Sequence, residues 1–284
     1  MAERTSAAIS PTAHYTGYVW VANGLSHPTF ATRPGRAFYE ALRPANAIAR
    51  AIGQPSLEGL LLARHRVIDH MLEAAIASGR VGQVVEVAAG LSPRGWRFAE
   101  RHGDAITYVE ADLPGMAAQK RAILARLGGE SPRHRVVELD ALADAGPGSI
   151  AQVVAGLDPT RGTAIITEGL LNYFDEEAVV GIWRRFARAL APTAGGLYLS
   201  DIHLADDNAG PVIGVFQAML SAFVRGRVYL HFADSAAAVT ALRGAGFDTA
   251  VLHRPVDLAN EVGEIEPGGG RKVRIIEASV VPRR

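Results

Sequence analysis

The chain has 284 residues, 49% hydrophobic and 20% charged, with 29 lysines plus arginines against 29 aspartates plus glutamates and no cysteine. Balanced charge argues against a nucleic-acid partner, which calls for a basic surplus, and the missing thiols exclude disulfides, zinc–thiolate centres and cysteine nucleophiles. No segment approaches the roughly 18 apolar residues of a membrane span. The opening segment also lacks a basic head followed by an apolar run, so the expectation is a cytoplasmic protein folded as one domain with an elaborated cap.

Residues 1–35 read as irregular, rich in small and aromatic residues: Pro11, His14, Tyr15, Tyr18, Trp20, Pro28, Phe30 and Pro34. Helical patterns follow near 36–52 and 57–78, and residues 1–80 together are expected to form a helical lid. In the second helix Leu57, Leu60, Leu61, Ile68, Met71, Leu72 and Ala75 share one face at 100° per residue. Arg64 sits at the centre of that stripe. An unpaired buried charge is expensive, so it needs a partner: either a ligand carboxylate or a structural one such as Glu86 or Glu168.

From residue 81 the pattern changes. Short β-branched runs at 84–88, 106–109, 135–139, 163–167 and 197–202 alternate with helical patterns near 94–102, 115–127 and 175–190. Nearly continuous apolar strands separated by helices predict a parallel sheet covered on both faces. Residues 81–202 are its core. Residues 203–233 break the alternation with Asp206, Asp207, Asn208, Gly210 and Pro211. With the amphipathic stretch 212–224 they read as an insertion over the active site. Residues 234–284 complete the sheet: the runs 247–253 and 273–280 have no obvious helix between them and form a closing pair, its last strand antiparallel. Residues 268–270 read as a flexible loop tip.

Ligands of such sheets bind beyond the carboxyl ends of the strands. The first run leads into Ala88-Ala89-Gly90-Leu91-Ser92-Pro93-Arg94. Gly90 permits a tight turn, Ser92 suits a helix N-cap and Pro93 the first helical position. One glycine is a poor phosphate loop, which disfavours a dehydrogenase. The second run ends in Glu110-Ala111-Asp112, 20 and 22 residues past Gly90, the spacing at which an acidic side chain meets ribose hydroxyls. The third ends in Asp140 and the fourth in Glu168. This row of carboxylates repels a pyrophosphate and suits a ligand carrying ribose hydroxyls, an ammonium and a sulfonium, hence S-adenosyl-L-methionine. Asp175 reads as the cap of the helix it precedes.

On these residues the chain resembles the leucine carboxyl methyltransferase family, and within it the bacterial branch of polyketide O-methyltransferases typified by the tetracenomycin carboxyl methyltransferase. The resemblance covers roughly residues 10–205. It is carried by Ile9-Ser10-Pro11-Thr12-Ala13-His14-Tyr15-Thr16, by Val85-Glu86-Val87-Ala88-Ala89-Gly90-Leu91-Ser92-Pro93-Arg94, by Glu110-Ala111-Asp112-Leu113-Pro114, by Lys120-Arg121 and by Glu168-Gly169-Leu170-Leu171-Asn172-Tyr173. It implies an α/β, Rossmann-like class I methyltransferase: a seven-stranded, mostly parallel sheet with helices on both faces and a helical cap. By position Arg64 would hold the donor's carboxylate, Gly90 its methionine part, Asp112 the ribose, Asp140 and Ala141 the adenine, and Glu168 the ammonium. Glu86, Ala88 and Glu110 complete the expected donor set. Relatives often carry glycine at the position of Ala88, whose methyl narrows the room beside the donor.

Methyl transfer is an in-line displacement that mainly needs alignment. A carboxylate acceptor needs no base, whereas a phenol with pKa near ~10 gains from one. Tyr173 and His203 are the expected catalytic residues. His14, Tyr15, Tyr18 and Tyr173 are the expected acceptor contacts. The reading is an O-methyltransferase acting on a small molecule such as a polyketide or aromatic natural product, with no metal and no nucleic-acid or membrane partner, and with room for a homodimer. The alternatives are a donor-binding protein without transfer activity and a carboxyl methyltransferase of protein C-termini.

Overall fold

A computed structural model describes residues 2–208, 229–263 and 265–282, with side chains from Thr12 onward. The expected amphipathic stretch 212–224 lies outside the described residues. Seven strands form one sheet: β1 Gln83–Val87, β2 Thr107–Asp112, β3 His134–Glu138, β4 Thr163–Thr167, β5 Gly196–Ile202, β6 Thr249–His253 and β7 Arg274–Val280. Their order is β3-β2-β1-β4-β5-β7-β6. The first five are parallel, and β7 runs antiparallel to both β5 and β6. β1, β4 and β5 are buried at every position, which is why they read as unbroken apolar runs rather than alternating ones.

Helices cover both faces. One layer holds α3 Leu57–Ala77 and α4 Arg94–His102; α5 Pro114–Leu124 covers the β2–β3 side; α6 Ile150–Ala155, α7 Glu176–Leu190 and α8 Ser235–Ala245 pack beyond the opposite face. Asp175 caps α7 as expected, accepting from the Ala178 amide at 2.9 Å. Ser92 does not cap α4, which begins at Arg94. Its hydroxyl instead accepts the Arg94 amide at 3.2 Å, inside the turn. Among the described residues no helix is long and apolar enough to cross a membrane.

Two readings are corrected. Residues 2–22 form a helix, α1 (Ala2–Ala22), followed by α2 Arg33–Ala51. Among its described side chains Tyr15, Thr16, Gly17, Val19 and Trp20 are buried, at helical spacing, so docking onto α2 and α3 overrides a composition that read as irregular. Residues 268–270 are no loop tip either. After a short helix, α9 Ala259–Val262, the turn α10 Pro267–Gly270 packs against the start of α3, with Gly269 and Gly270 buried. A Cβ on Gly269 would lie 2.5 Å from the Leu60 nitrogen. Glu266, just before the turn, accepts the Ser56 amide at 2.8 Å and the Ser56 hydroxyl at 2.5 Å, at the amino end of α3, where the helix dipole favours an anion.

Candidate active site

The carboxyl ends of the parallel strands meet at one edge, and strand order reverses between β1 and β4, the place where such sheets bind ligands. The turn after β1 carries two residues in left-handed backbone conformation, Ala88 at φ +56° and Gly90 at φ +49°. The Gly90 amide donates to Asp112 Oδ2 at 2.7 Å, and the Leu113 amide donates to Asp112 Oδ1 at 2.7 Å. Burial raises the Asp112 carboxyl pKa, only partly offset by these bonds. α1 lies directly over this turn: a Cβ on Gly90 would stand 3.5 Å from the Ala13 methyl, and one on Gly17 would come within 2.9 Å of Leu91.

On the other side of the reversal, Arg64 reaches from α3 to the ends of β4 and β5. Its Nε donates to Glu168 Oε1 and its Nη1 to Asp201 Oδ2, each at 3.0 Å. Burial alone would lower its pKa; Asp201 and Glu168 more than reverse that. Nη2 faces Gly169, where φ is +70° and a Cβ would come within 2.8 Å, so the missing side chain makes room for the guanidinium. The Gly169 amide donates to Asp201 Oδ1 at 2.7 Å. Behind this pair Arg94, fully buried, meets Asp69 at 2.5 Å, Glu86 at 2.6 Å and Glu168 at 2.6 Å. His65 Nδ1 lies 2.9 Å from both Glu168 Oε2 and Arg94 Nη2. Burial would raise the Glu168 pKa, but His65, Arg94 and Arg64 together hold it far below the carboxylate range.

Tyr173 stands among Thr12, Arg64 and Asp201, and burial raises its hydroxyl pKa. His203 follows β5. Its Nδ1 lies 2.9 Å from the Lys272 carbonyl, which can only accept, so Nδ1 carries the proton and Nε2 keeps a lone pair. Burial lowers the His203 pKa against the pull of Asp201, so the ring is a neutral base. Asp140 and Ala141 close β3, with the Asp140 carboxylate accepting the Leu142 amide at 2.9 Å.

Residues 25–187 match the leucine carboxyl methyltransferase family. The chain belongs to that family. Its relatives include a Frankia alni protein, 33% identical over 62% of this chain and 62% of its own length, and a Mycolicibacterium paratuberculosis protein, 36% identical over 46% and 40%; both are provisionally named S-adenosyl-L-methionine-dependent methyltransferases. The chain thus spans between about a third and just over three fifths of the length of the curated relatives it matches. The fold is shared with an O-methyltransferase family protein from Burkholderia thailandensis, at TM-score 0.54 and 17% identity over 87% of this chain and 64% of that one. That likeness is one of fold, a Rossmann-like sheet.

Five of the expected contacts have partners inside the fold. Glu110 spends both oxygens on cations or a ring, pairing with Lys120 and with His134 Nε2 at 2.7 Å, and is wholly buried. Glu86 likewise meets Arg94 at 2.6 Å and the Tyr108 hydroxyl at 2.8 Å. Both sit at inner positions of their strands, where these partners brace the site. Tyr15 is 1% exposed, with its hydroxyl accepting from Asn46 at 3.2 Å. It belongs to the α1–α2–α3 packing. His14, at 3.0 Å from the Thr32 hydroxyl, and Tyr18, with its ring 5.3 Å from that of Tyr39, also face α2. Among the described side chains of α1, Thr12, Ala13 and Gly17 lie at the site.

Sequence reasoning missed Asp201, Arg94, His65 and Lys120. Asp201 had a signal: a carboxylate inside an apolar strand run needs a cation, and Arg64 was waiting for one. Lys120, 1% exposed, donates to the Ser92 carbonyl as well as to Glu110. It pins the turn after β1 from behind.

Proposed function

We propose that this chain transfers a methyl group from S-adenosyl-L-methionine to a carboxyl or hydroxyl oxygen of a small molecule, an aromatic or polyketide-type natural product. The observation that carries the reading is the state of Asp112. Among the described residues it is a desolvated carboxylate that accepts from two backbone amides, one of them of Gly90. A carboxylate has about four acceptor positions. Two remain here, and vicinal ribose hydroxyls match them. Glu86 and Glu110, by contrast, are 1% and 0% exposed.

The rest of the edge fits the same ligand. Arg64 Nη2, beside Gly169, would take the donor's carboxylate, and its ammonium would lie near the strand-end carboxylates Glu168 and Asp201. Asp140 and Ala141 would flank the adenine. When bound, the donor supplies a methyl group on positively charged sulfur. The chain's own work is alignment and exclusion of water: α1 roofs the turn through Ala13 and Gly17, Tyr173 and His203 border the acceptor side, and the neutral His203 ring can hold an acceptor proton.

Calorimetry with the donor and its demethylated product, followed by labelled-methyl transfer to a panel of aromatic acids and phenols, tests this. Heat with both nucleosides and label in an ester or ether are expected. No heat from correctly folded protein would overturn the reading.

A further inference from the structure

α1 lies across the point where strand order reverses. Ala13, Gly17 and Trp20 follow one another at four and three residues, so they share one helix face. The first two rest on the turn after β1, where a Cβ on Gly90 would stand 3.5 Å from the Ala13 methyl and one on Gly17 2.9 Å from Leu91. Trp20 reaches toward the end of β4. Its ring, 5% exposed, lies 4.7 Å from that of His65 on α3, the two planes 38° apart.

His65 has no exposed surface. Its Nδ1 lies 2.9 Å from both Glu168 Oε2 and Arg94 Nη2. Arg94 Nη2 has its own acceptor in that same oxygen, at 2.6 Å, and a bare Nδ1 lone pair would face a carboxylate. Nδ1 therefore carries a proton and donates to Glu168. Nε2 stands 3.6 Å from Asp69 Oδ2, beyond hydrogen-bond length, and has no hydrogen-bond partner among the described residues. Apart from the bond to Glu168, the ring's orientation thus rests on packing, and Trp20 packs against it. With Arg64 Nε on Oε1 at 3.0 Å, the Glu168 carboxylate accepts three hydrogen bonds from α3 and α4, out of about four acceptor positions. Their directions set that of the fourth.

We propose that His65 is a positioning residue for the donor's amino-acid end: backed by Trp20 of α1, it aims Glu168, so that seating of α1 and binding of the nucleoside amino acid are coupled. The inference rests on the methyl-transfer reading above and on its placement of the donor's ammonium near Glu168. His65 itself touches no ligand. If Trp20 withdraws, the imidazole can turn and Glu168 loses one of the three bonds that fix it. A donor ammonium that needs Glu168 in this orientation therefore favours the seated helix. The same helix face carries Ala13 and Gly17 onto the Gly90 turn, so one rigid element meets the structure on both sides of the strand-order reversal. Its seating is felt at the amino-acid end as well as at the turn.

The test measures binding of two nucleosides by calorimetry: S-adenosylhomocysteine, which carries the amino-acid end, and 5′-methylthioadenosine, which lacks it. His65→Ala should weaken S-adenosylhomocysteine by about 10-fold or more, the worth of one hydrogen bond to a charged group, and leave 5′-methylthioadenosine unchanged. His65→Asn, whose amide nitrogen takes the place of Nδ1, should recover most of that loss. Trp20→Leu should cost several-fold, again for S-adenosylhomocysteine alone, and should add little to His65→Ala in the double variant. Equal weakening of both nucleosides, an asparagine no better than alanine, or Trp20 and His65 losses that add in full would overturn the coupling. If 5′-methylthioadenosine binds the parent too weakly to measure, the asparagine rescue and the double variant decide. If His65→Ala does not fold, Trp20→Leu against the parent decides: a several-fold loss for S-adenosylhomocysteine supports the coupling, and no loss overturns it. A parent that binds both nucleosides equally well would overturn the placement of the amino-acid end, and this inference with it, while donor binding stood. A parent that binds neither would instead sink the methyl-transfer reading.

Discussion

The Gly90 amide and the Asp112 carboxylate are joined across 2.7 Å, so the turn after β1 and the end of β2 form one unit rather than two separate loop features. A glycine on one strand end would mean little without an acid on the next to hold its backbone. Removing the acid should therefore do two things at once. Asp112→Ala is expected to weaken donor binding by about 10- to 100-fold, the worth of one or two hydrogen bonds to a charged group, and to loosen the turn. Calorimetry gives the first effect. Faster exchange of the Gly90 amide in hydrogen–deuterium measurements gives the second. Unchanged affinity would move the ribose elsewhere.

Ala88 adopts φ +56°, a left-handed conformation that costs a residue with a Cβ roughly 1–2 kcal/mol. Glycine would relieve that strain, at the expense of unfolded-state entropy of about 0.5–1 kcal/mol and of a methyl packed against the core. Ala88→Gly should thus raise Tm by no more than about 3 °C, with donor affinity equal or better. A clear fall in either would show that the methyl is a needed wall of the site.

The sheet was readable because burial on both faces leaves a plain signature. The runs at 84–88, 163–167 and 197–202 nearly coincide with β1, β4 and β5, and the antiparallel final strand is β7. The site was readable only as a set of strand ends. Sequence places Glu86, Glu110, Asp112 and Glu168 at or near one edge but not the partners that separate them. Asp112 meets amides, whereas Glu86 and Glu110 meet Arg94, Lys120 and His134, brought to them from the following helices and from β3. The role of a carboxylate is set by which cations reach it, and that is a tertiary fact. α1 was missed for a similar reason. Its small residues Ala13 and Gly17 look featureless until they are laid on Gly90 and Leu91.

Arg94 joins three carboxylates with no exposed surface of its own. Arg94→Met would leave Asp69, Glu86 and Glu168 without it and should cost about 3–5 kcal/mol near neutral pH. The pH dependence follows in sign. The folded-state pKa values of Asp69 and Glu168 are lowered relative to the unfolded chain. Their stabilisation is thus complete above the unfolded values near ~4 and lost as pH falls below them toward the folded values. Thermal melts from pH 7 to 3 should show the parent losing Tm below about pH 4.5. The gap to the variant should narrow over the same range, because in the variant protonation relieves uncompensated charge. A gap that stays constant would mean that the network's charges are not what holds α3 to α4.

The glycine-rich turn α10 supplies a test of how Arg64 is aimed. A Cβ on Gly269 would sit 2.5 Å from the Leu60 nitrogen and 2.7 Å from the Gly59 carbonyl carbon, both backbone atoms, and one on Gly59 would strike the Glu266 carboxylate at 2.3 Å. The two glycines let the turn and the helix start interlock, with Ser56 and Glu266 tying the junction. Backbone cannot swing aside as a side-chain tip can, so Gly269→Ala must push α3 and α10 apart, an overpacking cost of about 1–3 kcal/mol. Tm should fall by about 2–10 °C for a chain of this size. Leu60 precedes Arg64 by one helical turn, so the same displacement should carry into the guanidinium and weaken donor binding by several-fold. Both effects together are the expected outcome. A variant that melts and binds like the parent would mean that α10 is held loosely and that Arg64 takes its position from Glu168 and Asp201 alone.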